Sequence, residues 1–169
     1  MTPIIHPPNR DSRELEKVLV GLLSRRRLTL ALAESCTGGF IANRITNVPG
    51  ASRVFLGGVV AYSNEVKRRF LGVRAKTLAR RGAVSEAVAR EMAEGARKKF
   101  GADFAMAVTG IAGPGGGTKS KPVGTVFIAL ADGKETVVDR KLNAAGREKF
   151  KRSTAGQALK MLYLRLLQT

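Results

Sequence analysis

The chain has 169 residues, enough for one domain with a real core, and 44% hydrophobic residues with 19 glycines suit a compact α/β protein rather than a disordered one. No apolar run reaches the roughly 18 residues that span a bilayer, and MTPIIHPPNR lacks the basic region and apolar core of a secretory signal. Thirty Lys and Arg against 13 acids give a formal charge of +17, and a single Cys excludes an internal disulfide and points to the reducing cytoplasm.

Residues 1–10, with Pro3, Pro7 and Pro8, read as a loose tail ahead of one domain over 11–169. From Asp11 to about Arg26, Leu15, Val18, Leu19, Leu22 and Leu23 recur at helical spacing, with Asp11 or Ser12 as the cap. TLALA (29–33) suits a buried strand. It runs into ESCTGG, and GFIANRITN then reads as a helix. Pro49-Gly50 marks a turn, FLGGVVAYS (55–63) a second strand, and NEVKRRFL a short helix for which Asn64 is the expected cap. SEAVAREMAEGARKKF (85–100) is a longer helix with Ser85 as cap, Glu86 at its positive start and Arg97, Lys98 and Lys99 at its end. DFAMAVTG (103–110) is a third buried strand, and the glycine-rich IAGPGGGTKSKP follows it. VGTVFIALA and ETVVDRKL flank Asp132-Gly133, a hairpin signal, and the chain is helical again from about Gly146 to Leu167. This order predicts a three-layer α/β/α sandwich around a mixed, mostly parallel sheet of about five strands, one of them reversed by the hairpin.

The basic residues fall in short scattered groups, RRR at 25–27, KRR at 67–69, RR at 80–81 and RKK at 97–99. Seven Phe and two Tyr are placed mostly as core residues, not as stacking platforms. The pattern favours a solvated surface that attracts small anions over a dedicated nucleic-acid interface.

In an open α/β sheet, ligands sit beyond the carboxyl ends of the parallel strands. ESCTGG, YSNEVK and TGIAGPGGG leave the three predicted strands at those ends. The first puts Ser35, Cys36 and Thr37 before Gly38-Gly39 at a strand-to-helix junction, where amides unpaired by the helix bind an oxyanion or phosphate. The plainer alternative makes Ser35 or Thr37 only the helix cap. A histidine base is lacking, because His6 lies in the tail; that also removes a His-based metal site, and one Cys cannot build a zinc cluster.

A lysine desolvated in a pocket is the other established base for serine. Lys67 has the position for it, one turn into the helix after the second strand, with Arg68 or Arg147 as a second cation to depress its pKa. As part of KRR it also reads as an ordinary surface lysine. Tyr62 is placed to bond to either member of such a pair, or to fill the core as a strand aromatic. The loop carrying Thr109, Gly110 and Gly113 to Gly117 can wrap a phosphate with its amides, assisted by Lys119 and Lys121, or serve only as a connector. It is neither a Walker A loop nor a Rossmann fingerprint. Cys36 reads as small packing, since nothing nearby lowers its pKa.

Together and in this order, AESCTGG, VPGAS, YSNEVK, GAVSE and TGIAGPGGG…KPVGTV resemble the C-terminal domain of the CinA family over about residues 12 to 168. The short stretch ahead of the match gives the expectation of the stand-alone, PncC-type form without a further N-terminal domain. It implies deamidation of nicotinamide mononucleotide (NMN) to nicotinic acid mononucleotide and ammonia within pyridine nucleotide recycling, by a Ser/Lys dyad, with neither metal nor cofactor. By that carry-over Ser35 is the nucleophile, Lys67 its base and Tyr62 a support for the dyad. Ser52 of VPGAS would bind substrate or relay a proton.

Thr37, Gly38, Gly39, Thr109, Gly110 and Gly113 would contact the substrate, with the amides of Cys36 to Gly39 around the oxyanion and the Gly113–Gly117 loop or a nearby cation on the 5′-phosphate. Arg147 of AAGREKF takes the place of a site arginine, although the family more often shows Gly-Asp-Arg where this chain has Ala145-Gly146-Arg147. The expected partner is a small molecule, not a membrane, and Leu-rich terminal helices point to a homo-oligomer. Two competing readings are another carboxamide as substrate, and a non-enzymatic nucleotide- or nucleic-acid-binding module linked to competence and DNA damage.

Overall fold

The computed structural model describes residues 14–168, so the tail at 1–10 and the expected caps Asp11 and Ser12 lie outside the described residues. The order is α1 (Glu14–Arg26), β1 (Leu30–Glu34), α2 (Phe40–Thr46), a 3-10 turn (Ala51–Arg53) and β2 (Phe55–Val60). Then come α3 (Asn64–Leu71), α4 (Ala75–Arg81), α5 (Glu86–Phe100), β3 (Phe104–Gly110), β4 (Thr125–Ala131), β5 (Thr136–Leu142) and α6 (Arg147–Gln168). The five strands form one sheet in the order β2-β1-β3-β4-β5. β1 is parallel to β2 and β3, while β4 is antiparallel to both β3 and β5, so β4 alone runs against the rest. Asp132 Oδ1 accepts from the amides of Lys134 and Glu135 at 2.7 and 2.8 Å and closes the hairpin.

Side-chain alternation along the strands sorts the core into two layers. Leu30, Leu32, Phe104, Met106, Val108, Ile128 and Leu130 face α1, α2 and α6, whose Leu19, Leu23, Ile41, Ile45, Leu159 and Leu162 complete that cluster. The opposite face is built from Ala31, Ala33, Ala105, Ala107, Ala129 and Ala131, and receives Val88, Ala89, Met92, Ala93 and Ala96 of α5. Small side chains on both partners let α5 lie close to the sheet. Close approach recurs between α5 and α3, where a Cβ built on Gly95 would lie 1.8 Å from the Leu71 carbonyl oxygen. No described helix is long and apolar enough to cross a membrane.

Some local expectations change. β2 stops at Val60, leaving Ala61-Tyr62-Ser63 as the link to α3. Ser63 caps α3, its side chain accepting from the Val66 amide, and Asn64 is the first helical residue rather than the cap. Ser85 caps α5 as the sequence indicates. Helix α4 has no apolar periodicity and no side-chain cap of its own. Its start is held from α5, because the Glu91 carboxylate accepts from the Arg74 amide at 2.9 Å and from Thr77 Oγ1 at 2.7 Å. A carboxylate at a helix N-terminus is favourable, but tertiary folding has to bring this one there.

Candidate active site

β1, β2 and β3 are parallel, so the segments after them leave the sheet at one edge, where α6 also begins. Between them lies a pocket of about 300 Å³, the lower end of the range for small-molecule sites. Ser35, Cys36, Tyr62, Asn64, Lys67, Thr109, Gly110, Gly113, Gly116 and Arg147 line it, with Ala83 and Val84 from the turn before α5.

Lys67 Nζ donates to Ser35 Oγ at 3.1 Å and to the Ala61 carbonyl at 2.7 Å. Lys67 is only 2% exposed and Ser35 8%, so Lys67 is not a surface residue of the KRR group. Its hydrogen-bond partners are a hydroxyl and a carbonyl, not a carboxylate, and burial therefore lowers its pKa from the usual 10.5. The depression does not come from a second cation: Arg68 is exposed on the same helix, Arg147 is held by Tyr62 and the Gly113 carbonyl, and the Cys36 side chain works in the other direction. Cys36 is itself buried, which pushes its thiol up to about 12 against the opposing pull of its own backbone amide, with the Glu34 charge adding to the effect and the Lys67 and Arg147 charges opposing it. The thiol stays protonated and is no nucleophile at neutral pH.

Neither Ser35 nor Thr37 caps α2. The Glu34 carboxylate takes that place: Oε2 accepts from Thr37 Oγ1 at 2.6 Å and from the amides of Gly39 and Ile41 at 3.0 and 3.1 Å, and Oε1 from the Ala42 amide at 2.8 Å. Glu34 is absent from the sequence-based site. The signal for it was a single acid ending an apolar strand that the fold buries to 2% exposure. The expected ring of oxyanion amides narrows as well. The Gly39 amide is on Glu34 and the Gly38 amide on the Ser35 carbonyl at 3.1 Å, while Ser35 donates to the Val108 carbonyl at 3.0 Å. Cys36 and Thr37 are the amides of this turn outside those bonds.

Tyr62 is neither a core aromatic nor bonded to the dyad. It is 60% exposed, and its hydroxyl accepts from Arg147 Nη2, while Arg147 Nη1 donates to the Gly113 carbonyl at 2.8 Å. Arg147, the first residue of α6, thus crosses the pocket mouth. Thr109 Oγ1 donates to the Ala83 carbonyl at 2.9 Å and ties β3 to the wall formed by Ala83 and Val84. Gly38 and Gly39 shape the start of α2 with φ of 62° and 94°, Thr37 is fully buried with its hydroxyl on Glu34, and none of these three expected substrate contacts lines the pocket.

Ser52 is exposed in the 3-10 turn before β2. It is thereby at the opposite edge of the sheet, a strand length of about 20 Å from the pocket. Lys119 and Lys121 do not line the pocket either, and Lys121 Nζ donates to the Arg81 carbonyl at 2.8 Å instead.

Fold and pocket together define an α/β protein with a buried Ser–Lys pair at the carboxyl edge of its parallel strands. The chain belongs to the CinA C-terminal domain family, which it matches over residues 12–166. It is 57% identical over 120 residues to a CinA-like protein of Thermotoga maritima, covering 71% of this chain and 29% of that protein. A CinA-like protein of Synechococcus sp. is 49% identical over 158 residues, covering 92% of this chain and 38% of that protein. The chain thus spans well under half the length of these curated relatives.

Among solved structures, the competence/damage inducible protein CihA from Agrobacterium tumefaciens superposes with a TM-score of 0.89 at 39% identity, covering 98% of this chain and 100% of that one. A CinA superfamily protein from Enterobacter cloacae gives 0.90 at 34% identity, with 98% of each chain covered.

Proposed function

We propose that this domain is an amidohydrolase that converts NMN to nicotinic acid mononucleotide and ammonia. The single observation that carries the reading is the 3.1 Å contact between Ser35 Oγ and a lysine amine buried without a carboxylate partner. Neutral Lys67 takes the proton of Ser35 as Oγ attacks the carboxamide carbon, and the amide of Cys36, which lines the pocket, receives the oxyanion. The Lys67 ammonium then protonates the departing nitrogen, ammonia leaves, and an ester to Ser35 remains. Lys67 next deprotonates a water that attacks this ester, which releases the acid and restores Ser35. With the α2 start taken by Glu34, the 5′-phosphate goes to Arg147, which donates to the Gly113 carbonyl and lines the pocket together with Gly115 and Gly116.

The test is ammonia release from NMN by the purified protein. Release that depends on Ser35 and Lys67 supports the reading, whereas a folded wild type that releases none overturns the NMN assignment and calls for a panel of other carboxamides.

Loss of the arginine separates binding from chemistry. Arg147→Ala should raise KM for NMN by about 10–100-fold, the value of one or two charge-assisted hydrogen bonds, with kcat changed far less. Steady-state kinetics on nicotinamide riboside, which has no phosphate, should show almost none of this effect. An equal loss on both compounds would remove Arg147 from the phosphate site.

The depressed pKa of Lys67 fixes the direction of the pH response. A base must be neutral, so kcat/KM rises with pH through the folded-state pKa of Lys67, and a pH–rate profile reads this. Between that pKa and 10.5 the unfolded chain holds a proton that the folded chain has lost, so stability rises with pH across the window and is lost as pH falls through it. Urea denaturation should show wild type gaining stability relative to Lys67→Met as pH climbs toward 10.5. Parallel curves would mean that Lys67 titrates normally.

A further inference from the structure

We propose that Glu34 is a positioning residue for acyl transfer, an inference that rests on the Ser/Lys reading above. Its carboxylate is buried, and all four of its donors are neutral: the Thr37 hydroxyl and the amides of Gly39, Ile41 and Ala42. A helix start presents unpaired amides that suit an anion, and here the chain supplies its own.

This arrangement pins both ends of the turn that carries the nucleophile. At one end, Glu34 is the last residue of β1 and the Ser35 amide is on Val108 of β3. At the other end, the same residue's carboxylate holds the Thr37 hydroxyl and the Gly39 amide. Ser35 Oγ is thereby kept at Lys67 Nζ, and the Cys36 amide between the two pinned ends keeps one orientation. Stabilisation of an oxyanion depends on donors that need no reorganisation when charge develops. Glu34 touches no substrate. It acts through Ser35, Cys36 and Thr37.

A carboxylate is the group this geometry requires. Three donors converge on Oε2 and one on Oε1, so both oxygens must accept. In Glu34→Gln one of the two atoms becomes an NH2 group facing an N–H, which breaks at least one bond and opposes two donors.

The experiment compares wild type, Glu34→Gln and Thr37→Val in two assays. One is kcat and KM for ammonia release from NMN. The other is the rate at which a p-nitrophenyl phosphonate ester modifies Ser35: Lys67 takes the hydroxyl proton, the Oγ–P bond forms and p-nitrophenolate leaves. Glu34→Gln should slow both kcat and phosphonylation by about 10–100-fold, the scale of a displacement near 1 Å, with KM within about twofold and circular dichroism retained. Thr37→Val cuts one of the four bonds and should slow phosphonylation by less, and it decides the matter if Glu34→Gln does not fold.

Phosphonylation at the wild-type rate in the folded variants would overturn the positioning role, as would a loss no larger than the fraction unfolded. A wild type that is phosphonylated at Ser35 but releases no ammonia overturns the substrate alone, and the labelling ratio then decides on Glu34. A wild type that is not phosphonylated overturns the positioning role along with the dyad.

Discussion

Ser35→Ala and Lys67→Ala should each lower the rate of ammonia release from NMN by about 10⁴-fold or more, and the double variant should fall little further. The two side chains act as one unit. Without Oγ no acyl-enzyme forms, and without the amine the hydroxyl keeps its proton at neutral pH. Lys67→Arg should be as inactive as Lys67→Ala, because a guanidinium does not give up its proton. Cys36 offers no rescue, since burial holds its thiol at about 12. A sensitive ammonia assay at high enzyme concentration measures these rates, with circular dichroism to confirm folding. Activity that survives Ser35→Ala would move the nucleophile elsewhere, and activity that survives Lys67→Ala would remove Lys67 as the base.

Gly95→Ala should destabilise the fold by about 3 kcal/mol or more, although alanine is the better helix former by about 1 kcal/mol. A Cβ at this position would sit 1.8 Å from the Leu71 carbonyl oxygen and 2.7 Å from its carbon, well inside contact distance. The obstacle is backbone, so no side-chain rotation relieves it, and α5 or α3 must withdraw by more than 1 Å. Leu71 is the last residue of α3, one turn beyond Lys67. A retreat of that helix therefore pulls Nζ away from Ser35, and activity should fall in whatever fraction remains folded. Urea denaturation measures the stability change. Gly21→Ala in α1 is the control: its Cβ meets only the end of the Arg25 side chain at 3.3 Å, so the ordinary helix preference should apply there. A Gly95→Ala protein as stable as wild type would mean that the two helices separate at little cost.

The elements that could be read in advance are those whose signals are local. LALA, FAMAV and TVFIALA are apolar runs of strand length, and α5 has a serine cap, an acid in its first turn and bases in its last. The convergence of three unusual segments at one sheet edge also follows from strand direction alone. Helix α4 was not legible, because the carboxylate at its start belongs to α5. Tyr62 sits in the expected segment, yet its partner Arg147 comes from a helix that begins 85 residues further along the chain. Ser52 and Lys121 belong to family-like or phosphate-like stretches, and only the fold shows the first at the opposite edge and the second on the Arg81 carbonyl.

The sequence by itself determined the layer order, the direction of the strands and the residue types available for chemistry: a serine before a helix, a lysine after a strand and no histidine beyond the tail. Those are matters of periodicity, capping and composition, which act over a few residues. Tertiary structure decided burial. It turned Lys67 from one base in a KRR triplet into a desolvated amine 3.1 Å from a hydroxyl. It also turned Glu34 from the end of a strand into the anion that holds the start of α2. Desolvation depends on everything packed around a group, and no window of sequence contains that.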